Sequence, residues 1–109
     1  MTNENSKVIE ITTPEQLNTI LKENSNVMVD FFAEWCSPCK QLSPVLDSVS
    51  NDFDGVICKV NVDSNTEIAQ DNGIRSIPTV MYFKDGAKVK QTQGFQPKSQ
   101  LLMQMSEAF

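Results

Sequence analysis

Residues 30–40 read DFFAEWCSPCK, with Cys36 and Cys39 three positions apart, Trp35 ahead, Pro38 between and Lys40 behind. Three chemistries use a cysteine pair at this spacing: half of a metal site, a structural staple, and a dithiol that cycles between thiol and disulfide. Structural zinc takes four Cys or His ligands. The chain has 3 cysteines and no histidine, so a complete site would need a carboxylate beside Cys58. As a staple, a bridge closing so short a loop removes little entropy from the unfolded chain.

The redox alternative has a mechanism. Cys36 falls where an apolar run ends and a helical pattern begins, which places its sulfur near unpaired backbone N–H groups and the positive end of a helix dipole. Both stabilise a thiolate. A fall in thiol pKa from about 8.5 to about 7 raises the thiolate fraction at neutral pH about sixteenfold, while the lower basicity costs about fivefold in nucleophilicity. The net kinetic gain is severalfold; the larger benefit is a better leaving group when a mixed disulfide resolves. Cys39 lies one helical turn on, where i and i+3 side chains share a face. Pro38 removes a donor and fixes φ in the first turn, holding the two sulfurs in a restricted geometry.

The elements that must position this pair alternate along the chain. KVIEI (7–11) alternates apolar and polar residues as a half-buried strand does. A helix follows, with Thr13 as N-cap, Pro14 at its first position and Gln16 completing a capping box; Leu17, Ile20 and Leu21 form its apolar stripe. NVMVDFFA (26–33) is apolar enough for a strand covered on both faces. The next helix carries Leu42, Val45, Leu46 and Val49, with Pro44 inside the pattern predicting a kink. GVICKVNV (55–62) reads as a third strand, and Ser64 with Glu67 as the capping box of a short helix over 64–71. TVMYFK and AKVKQTQ form a hairpin through Asp85-Gly86. A closing helix, 97–107, starts at Pro97 with Leu101, Leu102 and Met105 on its apolar side. The order βαβαβαββα predicts an α/β fold: one domain over 1–109, built on a central mixed five-stranded sheet flanked by four helices on both faces.

VDFFAEWCSPCK, then IRSIPT and QGF, in this order on this element pattern, resembles the thioredoxin family along nearly the whole chain. The resemblance implies a thioredoxin fold and reversible dithiol–disulfide exchange with disulfides of target proteins. It also implies no bound cofactor, with electrons supplied from NADPH through a thioredoxin reductase. Cys36 is then the nucleophile and Cys39 the resolving thiol. Asp30, a carboxylate inside an apolar strand, is costly unless paired or protonated; the resemblance gives it proton transfer with Cys39, and Lys59 is its charge neighbour. Trp35, Ile77, Pro78, Gly94 and Phe95 become the target-docking surface. The resemblance makes the Ile77-Pro78 bond cis and Gly94 a point of close approach for the target backbone; Trp35, next to a sulfur expected to be exposed, reads as part of that surface. Ser37 stands where the family commonly has glycine, so Ser37 and Pro38 are candidates for tuning the redox potential; activity is expected to be retained with a modest shift. Phe32 stands where many relatives carry a second tryptophan, so Trp35 is the sole indole and should report the redox state by fluorescence. Cys58, inside VICKV, reads as a small buried apolar residue.

Two other functions remain open at this point: a binding module using the same apolar patch, and a glutathione-dependent reductant, which the tryptophan before the pair matches less well. Composition narrows the rest. A formal charge of −5 and no Lys/Arg cluster argue against nucleic acid. No segment approaches the roughly 18 apolar residues of a membrane span, and the polar MTNENSKVIEITTPEQL shows no secretory pattern. A soluble cytoplasmic monomer is expected.

Overall fold

The computed structural model describes residues 6–109. Its elements run β1 (Ile9–Glu10), α1 (Pro14–Glu23), β2 (Asn26–Phe32), α2 (Ser37–Ser50), β3 (Val56–Asn61), α3 (Thr66–Asp71), β4 (Thr79–Lys84), β5 (Ala87–Gln93) and α4 (Lys98–Ala108). This is the expected βαβαβαββα order. The strands form one mixed sheet in the order β1-β3-β2-β4-β5. β1, β3 and β2 are parallel, as helical crossovers require, while β4 runs antiparallel to both β2 and β5.

Strand alternation sorts the core into two layers. Val27, Val29 and Phe31 of β2 join Cys58, Val60, Met81 and Phe83 on one face, covered by Leu17 of α1 and Ile68 of α3. Met28, Ile57, Val80 and Tyr82 point the other way, against Leu42, Leu46 and Val49 of α2 and Leu101 and Met105 of α4. A buried leucine or phenylalanine of this kind contributes roughly 1.5–3 kcal/mol. Residue 30 shares the parity of Met28, so the carboxyl of Asp30 belongs to the face covered by α2.

Local signals account for most boundaries. Thr13 caps α1, its Oγ1 accepting from Gln16 N at 3.1 Å, with Pro14 in the first turn. The reciprocal bond is displaced by one residue: Gln16 Oε1 accepts from Thr12 N at 2.8 Å, not from the cap itself. α2 continues through Pro44; the missing N–H deprives the carbonyl of Lys40 of its helical donor. Asp85 and Gly86 take φ of 51° and 84°, the paired positive values of a two-residue hairpin turn. The β4–β5 register slips between Tyr82 and Phe83, which face Lys90 and Lys88, leaving Val89 as an exposed bulge.

Four local expectations are corrected. β1 is two residues long, because the flanks of KVIEI serve other partners: Lys7 N donates to Ser50 Oγ and Val8 packs in the α2–α4 layer. The capping box on Ser64 does not form. Asn65 is the N-cap of α3, without a side-chain cap bond, and Ser64 N donates instead to Asn61 Oδ1 at 3.4 Å. Pro97 is the N-cap of α4, not its first residue; its extended ψ of 162° cannot start the helix. Leu102 is exposed, because the buried side of α4 follows Leu101, Met105 and Ala108, and the next residue in sequence falls about 100° round the helix.

Candidate active site

The carboxyl ends of β2 and β3 and the cis peptide before β4 converge on the first turn of α2. Cys36 is the N-cap of that helix, with Ser37 and Pro38 next, and its Sγ accepts from Cys39 N at 3.3 Å. The sulfur therefore occupies the place where a Ser or Asp oxygen usually satisfies a free helix N–H. Cys36 and Cys39 are joined as a disulfide with a Cα–Cα distance of 5.2 Å. The spacing expected from one helical turn is thus realised.

Both cysteines are 4% exposed and pack with Ala33 against Phe32, Val62 and Ile77. The expectation of an open sulfur beside Trp35 is corrected: in the disulfide form Cys36 Sγ is tucked against Ile77 O, 3.8 Å away. What is open is its surroundings. Trp35 is 70% exposed and Phe95 is 42% exposed, while Ser37 and Pro38 are also exposed. The Ile77-Pro78 peptide is cis, and Pro78 O accepts from Gly94 N at 2.9 Å. The cysteine pair, Ile77-Pro78 and the Gly94-Phe95 turn are therefore consecutive contacts, not separate features. Gly94 has φ of 86°, and among the described residues nothing lies within 4 Å of where a Cβ would stand. Its glycine character answers the backbone angle while the space above it is free.

Asp30 pairs with Lys59 across the parallel β2–β3 ladder and with Val80 across β4. It is 4% exposed, and its Oδ1 has no hydrogen-bond partner among the described residues. Burial pushes the carboxyl up from 3.8 to about 7, against the opposing pull of the Lys59 charge. Lys59 is half-buried with Nζ 5.6 Å from the centroid of the Phe32 ring, so its stem and charge lie along the same face. Cys58, the preceding residue, points to the opposite layer; it is free, fully buried, and its thiol is pushed up to about 12 by burial.

Two features of the site had no counterpart in the sequence reading. Trp35 Nε1–H donates to Asp63 Oδ2 at 2.9 Å, from the loop after β3. Beside Cys39, a cavity of about 350 Å³ is lined by Phe32, Ala33, Glu34, Cys39, Lys40 and Ser43. The Trp35–Asp63 bond is not visible along the chain, since β2 and β3 become neighbours only through the sheet order; the cavity lies between the end of β2 and the first turns of α2. Among the described residues, no group of three or more His, Cys, Asp or Glu is placed to hold a metal.

Residues 7–107 match the sequence profile of the family described as Thioredoxin. The chain belongs to the thioredoxin family. It is 42% identical to a thioredoxin of Pseudomonas aeruginosa over 96 residues, covering 86% of this chain and 89% of that protein. It is 41% identical to a thioredoxin of Chlorobaculum thiosulfatiphilum over 103 residues, covering 93% and 95%. In three dimensions it superposes on a mutant thioredoxin from Halobacterium salinarum with a TM-score of 0.89 at 29% identity, covering 99% of this chain and 96% of that one. As a thioredoxin-family protein it is a dithiol–disulfide oxidoreductase acting on disulfide-containing targets through the Cys36–Cys39 couple. No helix among the described residues is long and apolar enough to cross a membrane.

Proposed function

We propose that Cys36 is the nucleophile of a general protein-disulfide reductase and Cys39 its resolving thiol. The Cys36 thiolate attacks one sulfur of a target disulfide, forming a mixed disulfide and releasing the other target sulfur as thiolate. Cys39 then attacks Cys36 Sγ, restoring the internal disulfide and freeing the second target sulfur; the target is reduced by two electrons and the dithiol oxidised. The observation that carries the assignment is Cys36 Sγ at the helix N-cap, accepting from Cys39 N, where thiolate charge is stabilised.

Asp30 serves as the base for the Cys39 proton. A carboxyl with a pKa of about 7 is about half ionised at neutral pH and can accept and return a proton there. Lys59 limits how far burial raises it. Trp35, Ile77, Pro78, Gly94 and Phe95 form the docking surface, where an extended target segment pairs beside Pro78. Ser37 and Pro38 set the potential of the couple, with Ser37 shifting it modestly. No cofactor is bound; electrons come from NADPH through a thioredoxin reductase, and the protein works as a cytoplasmic monomer.

Turnover of insulin disulfides with NADPH and a thioredoxin reductase tests this reading. Wild type should consume NADPH continuously and Cys36→Ser should not. Equal consumption by both, or none by wild type, refutes it.

A further inference from the structure

We infer that Asp63 is a positioning residue for the target-docking surface, holding the Trp35 indole in place, with buried Asn61 fixing Asp63 in turn. The inference rests on Trp35 being part of that surface.

Trp35 is 70% exposed and lies outside all three packed clusters, so apolar packing does little to fix its ring. Its one polar atom, Nε1, donates to Asp63 Oδ2 at 2.9 Å. A hydrogen bond to a charged acceptor is stronger than one between neutral groups. The two partners stand just beyond the ends of adjacent strands, Trp35 after β2 and Asp63 after β3.

The acceptor is itself held from below. Asn61, the last residue of β3, is 8% exposed, and its Oδ1 accepts from Asp63 N at 2.9 Å and Ser64 N at 3.4 Å. Its carbonyl accepts from Asn65 N at 2.9 Å and Asn65 Nδ2 at 3.1 Å. Val62 N donates to Phe32 O at 2.9 Å, tying the turn to the end of β2. These bonds fix the backbone of the turn that carries the exposed Asp63 carboxylate. That carboxylate has one indole as its partner.

A large exposed side chain that is already oriented loses less freedom when a target docks. Asp63 thus acts on binding and not on sulfur chemistry, since none of its contacts reaches Cys36 or Cys39.

The test uses the full chain with Asp63→Ala, Asp63→Asn and Trp35→Ala, all assayed for insulin-disulfide reduction, with wild type and the two Asp63 variants also read by steady-state anisotropy of the single tryptophan. Asp63→Ala should raise KM for insulin about fivefold with kcat held, and lower the Trp35 anisotropy. Asp63→Asn keeps an oxygen acceptor and should restore both values. Unchanged KM and anisotropy in Asp63→Ala overturns the inference, as does an Asp63→Asn that behaves like Asp63→Ala. An Asp63→Ala that loses kcat instead of KM also overturns it. If Trp35→Ala itself leaves KM unchanged, the docking assignment fails. If Trp35→Ala raises KM and Asp63→Ala does not, the positioning role alone fails.

Discussion

Replacing Asp30 by asparagine keeps the shape of the side chain and removes its charge, so the difference between the two proteins isolates what it costs to ionise this position. Burial carries the carboxyl from 3.8 to about 7 despite the Lys59 charge. At 1.36 kcal/mol per pH unit, that corresponds to about 4 kcal/mol between the folded and unfolded chains. The sign follows from which state ionises first. Below about pH 4 both states hold the proton and Asp30 adds no penalty. As pH rises toward 7 the unfolded chain ionises and the folded one does not, so stability is lost; above about 7 the full penalty is present. Urea unfolding of the oxidised forms, from pH 4 to pH 9, should show Asp30→Asn gaining on wild type across this window by about 4 kcal/mol and then levelling. An asparagine left without partners adds a constant offset, so the pH dependence of the difference is the measured quantity. A difference that is flat with pH, or that falls as pH rises, refutes the account of Asp30 as a desolvated acid.

Lys59→Met removes the charge that opposes burial, so the Asp30 carboxyl should titrate above its present value of about 7; carboxyl NMR of the oxidised protein checks the direction, and a lower value contradicts it. Cys58 is fully buried with its thiol at about 12, so iodoacetamide at pH 8 should leave Cys58 unmodified in the reduced native protein and modify it in urea, read by peptide mass. A Cys58 that reacts in the native state shows that β3 opens more readily than its packing implies.

Much of this architecture is legible in the sequence because local signals agree with one another. Thr13-Pro14, Asp85-Gly86 and the period-2 and period-3.6 apolar patterns each have a single cheap realisation, and the chain adopts it. The cysteine pair is legible for the same reason: a strand end, a helix start and three residues fix where the sulfurs go. The misses occur where two local options compete. Ser64 and Asn65 are both good caps, and Asn61 below the turn decides between them by accepting from Asp63 N and Ser64 N. Leu101 and Leu102 are equally apolar, and the rotation of α4 on the sheet buries one and exposes the other. Asp63 was invisible for a different reason. Its tie to Trp35 spans 28 positions, and only the placement of β3 beside β2 brings the two turns together. Asp30 stands out as an anomaly in an apolar run, but that its face is the one covered by α2 follows only from the packing of Met28 against Leu42, Leu46 and Val49.

The division of labour between the two cysteines is the centre of the account, and trapping the mixed disulfide tests it most directly. Reduced Cys39→Ser and Cys36→Ser proteins are each incubated with an excess of insulin, quenched with acid, and mapped by peptide mass. With resolution blocked, Cys39→Ser should accumulate a covalent adduct on Cys36, whereas Cys36→Ser should leave Cys39 almost unmodified. Comparable adducts on Cys39, or none on Cys36, contradict the assignment.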